Sequence, residues 1–198
     1  MNWGDIQIES LKKMFLNTDN ITVDNLSTYL QDKKYKTYLF AMPQACNEAI
    51  RYLASQLGTE TEKYTLEYSG DDTFNLSDYI PDIRKIDRVV CPSGVVYKML
   101  TENIIQFYNW DSGDVDIYYE VEPEDVKSST AATKRIDSLK DQYVRIIPLY
   151  IAGELYKDDD LSLSTMYMNE FFNMVTTFKD ENVFINNPTV QTIYRIGD

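Results

Sequence analysis

The feature that most constrains this chain is its hydrophobic period, which runs helical, then strand-like, then helical again. Ile8, Leu11 and Phe15 lie three and four residues apart, one face of a helix over about 5–16. Turn formers from Asn17 to Asn20 end that run, and Thr22 or Asp24 can cap a short second helix carrying Leu26, Tyr29 and Leu30. Tyr38, Met42, Ala45, Ala49, Leu53 and Leu57 form the longest stripe of the first third, with Pro43 inside it. Either one helix kinks at Pro43, or a short helix ends there and Pro43 opens the next. Gly58 is a natural stop.

From residue 61 the period becomes two. Tyr64, Leu66 and Tyr68 alternate with polar residues, as in a half-buried strand. Phe74 and Leu76 suggest a short return. Ile83, Ile86, Val89 and Val90 mark a second strand, closed by Pro92 and Gly94, and Val95 to Tyr97 a third. The clearest hairpin signal joins Ile104–Tyr108 to the alternating run Val115, Ile117, Tyr119 and Val121 through a connection containing Trp110 and Gly113.

Helical spacing is expected again from Ile136, through Leu139, Tyr143, Ile146 or Ile147, and Tyr150, with Pro148 bending the helix. After Asp158–Asp160, the residues Leu161, Ser164, Met168, Phe171, Val175 and Phe178 continue at the same period, so the two helices form a hairpin. The reading is an α+β protein: a helical bundle from both chain ends (1–60 and 123–180), an antiparallel β insertion (61–122) and an extended C-terminal tail (181–198).

Composition narrows the chemistry. The chain has 198 residues, 43% of them hydrophobic and 13% aromatic, too apolar for a disordered acidic tail. It carries 19 Lys+Arg against 32 Asp+Glu and no histidine, for a formal net charge of −13. Histidine-containing zinc sites, Ser-His-Asp triads and Cys-His dyads are therefore excluded. Cys46 and Cys91 have no motif spacing and read as reduced core residues. The acidic balance argues against nucleic acid as the main ligand, and the short basic groups Lys33, Lys34, Lys36 and Arg84, Lys85, Arg88 read as solvated faces. The opening residues have neither a basic nor an apolar targeting region, and no run of 18 apolar residues occurs, so no signal peptide and no membrane span are expected.

The remaining candidates read as structure. Asp158, Asp159 and Asp160 can bind a hard cation, but they precede a helix, where acids cap free amides. Asp111, Asp114 and Asp116 beside Gly113 fail the calcium-loop register and suit a turn. No Gly-rich phosphate loop is present, and nothing marks one carboxylate pair as catalytic. No catalytic, cofactor or metal set is expected. The 16 tyrosines, among them Tyr108, Tyr118, Tyr119, Tyr143, Tyr150, Tyr156 and Tyr167, suit either a protein surface or half-buried positions. Near the C-terminus, Val183, Phe184, Ile185, Val190, Ile193 and Tyr194 are too few for a core of their own. They either pack back on the parent domain or dock on another chain.

The segment Tyr143 to Phe171 resembles the C-terminal helical hairpin of tailed-phage head-to-tail connector (adaptor) proteins. Its first helix contains Pro148 and closes with Leu155, Tyr156 and Lys157 before three acids; its second carries Tyr167, Asn169, Glu170 and Phe171. The run Asp5 to Phe15 followed by Asn17, Thr18 and Asp19 is similar to such proteins too, as is the order of helices, β insertion, helices and tail. The resemblance covers about 1–57 and 136–178. It implies a structural virion protein, not an enzyme and without cofactors: a homo-oligomeric ring, commonly a dodecamer, between portal and tail in the virion neck, made in the host cytoplasm. Portal protein and tail or neck proteins would be its partners, no membrane would be involved, and DNA would pass through the ring without sequence-specific binding. By position, 183–196 would be the extension that reaches the portal. A carboxylate-lined channel would repel DNA and let it slide during ejection. The rival readings are another neck or tail-completion protein on a different ring, and, remotely, a carboxylate-dependent hydrolase.

Overall fold

A computed structural model describes residues 1–15, 18, 20–67 and 71–186, with side chains in the last helix described through Glu181. The fold is α+β, with about 45% of the described residues helical and 20% in antiparallel strands. Two compact units are present: one from Met1–Leu57, Val126–Arg135 and Gln142 onward, the other from Gly58–Asp125 and Ile136–Asp141.

The helical unit opens with α1 (Trp3–Met14). Asn2 and Asp5 form a reciprocal capping box: the Asp5 amide donates to Asn2 Oδ1 at 2.8 Å and the Asn2 amide to Asp5 Oδ2 at 3.0 Å. The free amides of Trp3 and Gly4 donate to the carbonyls of Lys134 and Ala132, at 2.8 and 2.7 Å, which ties the 126–135 segment to the helix start. A short α2 (Leu26–Tyr29) follows, then the long α3 (Lys33–Leu57). Pro43 neither ends α3 nor opens a new helix; it is buried inside one continuous run.

Pro148 acts differently. A single bent helix from Ile136 was expected, but 136–140 is not helical. Helix α4 (Asp141–Val144) is one turn, and α5 (Ile147–Leu155) starts afresh with Pro148 in its first turn, where the missing N–H costs nothing. Ile147, Pro148, Leu149, Ile151, Ala152 and Gly153 are all buried, so α5 is apolar nearly all round and forms the centre of the unit, packed by α1, α3 and α6. Helix α6 (Leu161–Asn186) completes the hairpin. The expected extended tail from 181 is corrected in its first part: the backbone of Val183, Phe184 and Ile185 is helical, because no Pro or Gly interrupts α6 before Asn186. Val190, Ile193 and Tyr194 lie outside the described residues.

The β unit contains β1 (Thr61–Leu66), β2 (Thr73–Asn75), β3 (Ile83–Val90), β4 (Val96–Met99), β5 (Ile104–Tyr108) and β6 (Val115–Val121). They form two three-stranded antiparallel sheets, ordered β1-β6-β3 and β2-β5-β4. The expected hairpin of β5 with β6 does not form; the two strands lie in different sheets. The connection carries the chain from one sheet to the other because Trp110 turns inward. Trp110 is buried against Phe107 (ring centroids 4.8 Å apart) and Phe74 (5.6 Å), and its indole N–H donates to Gly113 O at 2.9 Å. Leu66, Phe74, Ile105, Phe107, Val115 and Ile117 from both sheets share this core. The actual hairpin is β4 with β5, from Val96 opposite Tyr108 to Met99 opposite Ile105.

Candidate assembly surface

The chemistry-bearing side chains are held in structural roles. Asp160 Oδ1 accepts from the amides of Ser162 and Leu163 at 3.0 Å each, the N-cap of α6. Asp159 accepts from the Tyr38 hydroxyl at 2.5 Å. That bond, followed by burial, pushes the Tyr38 hydroxyl up from 10.0 to about 12. Asp116 accepts from Thr65 (2.8 Å) and Lys63 (3.2 Å), and these hold its carboxyl below the usual range, the Thr65 bond first. Among the described residues no three His, Cys, Asp or Glu side chains are placed to hold a metal ion. No helix among the described residues is long and apolar enough to cross a membrane. Both cysteines are free, and burial pushes the Cys46 thiol up to about 12.

Several tyrosines bolt the helices together. The Tyr156 and Tyr167 rings stack 6.4 Å apart with planes 9° from parallel. Their hydroxyls donate to the carbonyls of Met14 and Lys13, which are left unpaired at the C-terminal end of α1. The hairpin α5–α6 is thereby fixed to α1 from outside the apolar core.

The outward face of α6 stands apart from the rest of the molecule. From Leu161 to Phe178 the sequence contains one charged residue, Glu170, in a chain that is 26% charged. Leu161 is 71% exposed, Met166 49% and Phe172 39%. Leu161, Ser162, Thr165, Met166 and Asn169 line a shallow groove. The exposed threonines do not ask for outside partners: Thr165, Thr176 and Thr177 donate to the carbonyls of Leu161, Phe172 and Asn173 one turn back, at 2.8, 3.0 and 3.1 Å. These three hydroxyls keep a hydrogen bond when water is removed. Charge depletion with exposed Met and aromatic side chains is the composition of an interface core.

Helix α3 presents a second outward strip of opposite character. Lys33, Lys36, Phe40, Gln44 and Arg51 are exposed, Phe40 at 55%, and the Lys36 ammonium sits 6.0 Å from the Phe40 ring centroid. The helix carries four cations and a single carboxylate, Glu48, on an otherwise acidic chain. Beside the strip, Asn47 grips the backbone of Val126 by two bonds of 2.9 and 2.8 Å, so Val126 and Lys127 form one wall of a groove with Phe40 and Gln44. The β unit has its own exposed apolar residues, Val90, Val96, Tyr97, Leu100 and Tyr108.

Of the residues predicted to dock, Val183, Phe184 and Ile185 continue α6, and Val190, Ile193 and Tyr194 fall outside the description. The α6 face was not singled out from sequence, although its missing charges are legible there. The sequence matches no protein-family model and no curated protein.

Proposed function

We propose that this chain is a structural virion protein: a head-to-tail connector whose copies form a ring in the neck, between portal and tail, and extend the DNA channel. The observation that supports the reading is the charge-poor outer face of α6, with Leu161, Met166 and Phe172 exposed, on a chain of net charge −13. Like-charged copies repel, and they approach most readily where carboxylates are missing. The resemblance of the Tyr143–Phe171 hairpin to phage connectors supplies the biological setting. In this reading the helical unit packs subunit against subunit, the exposed apolar residues of the β unit meet the next ring or the tail, and residues 183–198 reach the portal. The acidic remainder of the surface lets DNA slide without sticking. The ring is expected to be a dodecamer, built in the host cytoplasm and retained in the virion neck.

The test is native mass spectrometry of the full chain, alone and with the portal protein encoded by the same phage. A ring-sized complex with portal, lost on removal of 183–198, is the expected result. A strict monomer that ignores portal with its C-terminus intact would overturn the reading.

A further inference from the structure

We infer that the outward strip of α3 on one copy docks into the outward groove of α6 on the next, a head-to-tail contact between two different faces of the same chain. This deepens the ring reading and rests on it. The occupant of the α6 groove is thus a second copy of this chain.

Charge complementarity selects this pairing. The α6 groove is preceded by exposed Asp158, Asp159 and Asp160. The α3 strip places Lys33 and Lys36 before its exposed aromatic, Phe40. Phe40 lies four residues beyond Lys36 and seven beyond Lys33; Thr165, at the middle of the groove, lies five beyond Asp160 and seven beyond Asp158. At about 1.5 Å per helical residue Lys36 and Lys33 lie roughly 6–11 Å along α3 from Phe40, and Asp160, at the start of α6, lies roughly 7–8 Å from Thr165, with Asp158 and Asp159 in the turn before it. With the two helices parallel, the lysines come to the acidic turn before α6, where Asp158 is exposed, while the Phe40 ring enters between Leu161 and Met166.

The arrangement inside one chain shows why such a contact propagates. Tyr38 meets Asp159, Tyr52 meets Phe172 with ring centroids 5.5 Å apart, and Lys179 donates to Gln56. These three contacts, the first in the turn just before α6 and the others along it, set α3 and α6 side by side, pointing the same way at the same level. A neighbour's α3 docking in that same sense repeats the order α3, α6, α3, α6. A heterologous contact of this kind leaves one free face at each end, so it grows until the ring closes. A self-complementary contact would stop at a dimer.

The test uses two variants at exposed positions, Phe40→Asp and Met166→Asp, in the full chain. Thermal unfolding of each checks that the fold is kept. Native mass spectrometry over a concentration series is expected to give species above monomer for wild type and monomer alone for each variant. An equal mixture of the two variants retains one sound α3 strip and one sound α6 groove. It is expected to yield a one-to-one dimer and nothing larger. A second pair addresses the charges: Lys36→Glu should cut assembly, and adding Asp158→Lys to the same chain should restore it. Variants that assemble as wild type does, a mixture that stays monomeric, a wild type that never leaves the monomer, or a charge swap that restores nothing would each overturn the docking. The two readings fail separately. Wild type that assembles but never captures portal counts against the neck role alone; unaltered assembly of both variants with portal captured counts against this contact alone.

Discussion

A methyl group added at position 153 would enter the closest crossing in the helical unit. A Cβ on Gly153 would stand 2.7 Å from Met168 Cγ, 2.8 Å from Sδ and 3.2 Å from the Met168 backbone nitrogen. The two shortest contacts are with the Met168 side chain, while the backbone contact at 3.2 Å asks for a shift of only a few tenths of an ångström. Overpacking of this kind costs about 1–3 kcal/mol. Against it, Ala is favoured over Gly inside a helix by about 1 kcal/mol. Gly153→Ala should therefore be neutral to destabilising by about 2 kcal/mol, the sum of the two opposing effects. Met168→Ala removes the colliding side chain, so in that background the same Gly153→Ala change should become stabilising. The cycle of single and double variants should show a coupling of about 1–2 kcal/mol. Urea unfolding followed by far-ultraviolet ellipticity, which the helices dominate, measures each term. Equal stabilisation by Gly153→Ala in both backgrounds would refute the close crossing of α5 and α6.

Further outcomes follow from other features. Phe171 is fully buried among Tyr52, Tyr150 and Phe172, so Phe171→Ala should cost about 3–5 kcal/mol in the same unfolding assay. Asn2→Ala removes half of the capping box and should cost about 1 kcal/mol; an unchanged midpoint would mean the box contributes nothing. The Tyr38, Tyr119 and Tyr150 hydroxyls are each raised from 10.0 to about 12, Tyr38 chiefly by its bond to Asp159 and the other two chiefly by burial, with Glu62 and Asp82 beside Tyr119 and Glu48 and Glu154 beside Tyr150. Because the folded state favours the protonated form, their contribution is complete below pH 10 and is lost as pH rises from about 10 to about 12. The alkaline fall in unfolding midpoint should be shallower in a Tyr38→Phe, Tyr150→Phe double variant; identical slopes would contradict this. A thiol reagent should label half-buried Cys91 in the folded protein and reach Cys46 only on unfolding.

Much of the architecture was legible from local pattern alone. The period change marked the helical and strand segments, because burial of one face writes its spacing into the sequence. Long-range choices were not legible. An alternating run such as Val115 to Val121 specifies a strand with one buried face, not which strand pairs with it, and only the inward Trp110 separates β6 from β5. Ile136 and Leu139 fit helical spacing yet are buried in the β unit, because two apolar residues three apart satisfy several conformations. The two prolines show the same limit. Pro43 is tolerated mid-helix where its surroundings bury it, while Pro148 begins a helix, and the residue type does not distinguish the cases. The α6 face is the reverse situation: its signal was an absence of charge, which periodicity does not register because the buried face alone sets the period.

The discontinuous chain path of the helical unit sets an order of events during synthesis. Strands β1 and β3 both precede β6, so the ladders of the β unit close once Val121 has emerged. Helices α1 and α3 are complete far earlier, at Leu57, but their central partner α5 ends at Leu155. At about 5–20 residues per second, that interval lasts roughly 5–20 s on the ribosome. During it α1 and α3, with apolar residues such as Ile6, Leu11, Met42 and Leu53, wait for the helix they pack against. The nascent chain thus carries a sticky N-terminal segment, under a third of its length, ahead of closed β ladders, and its yield should depend on how well chaperones or dilution protect that segment until α5 arrives.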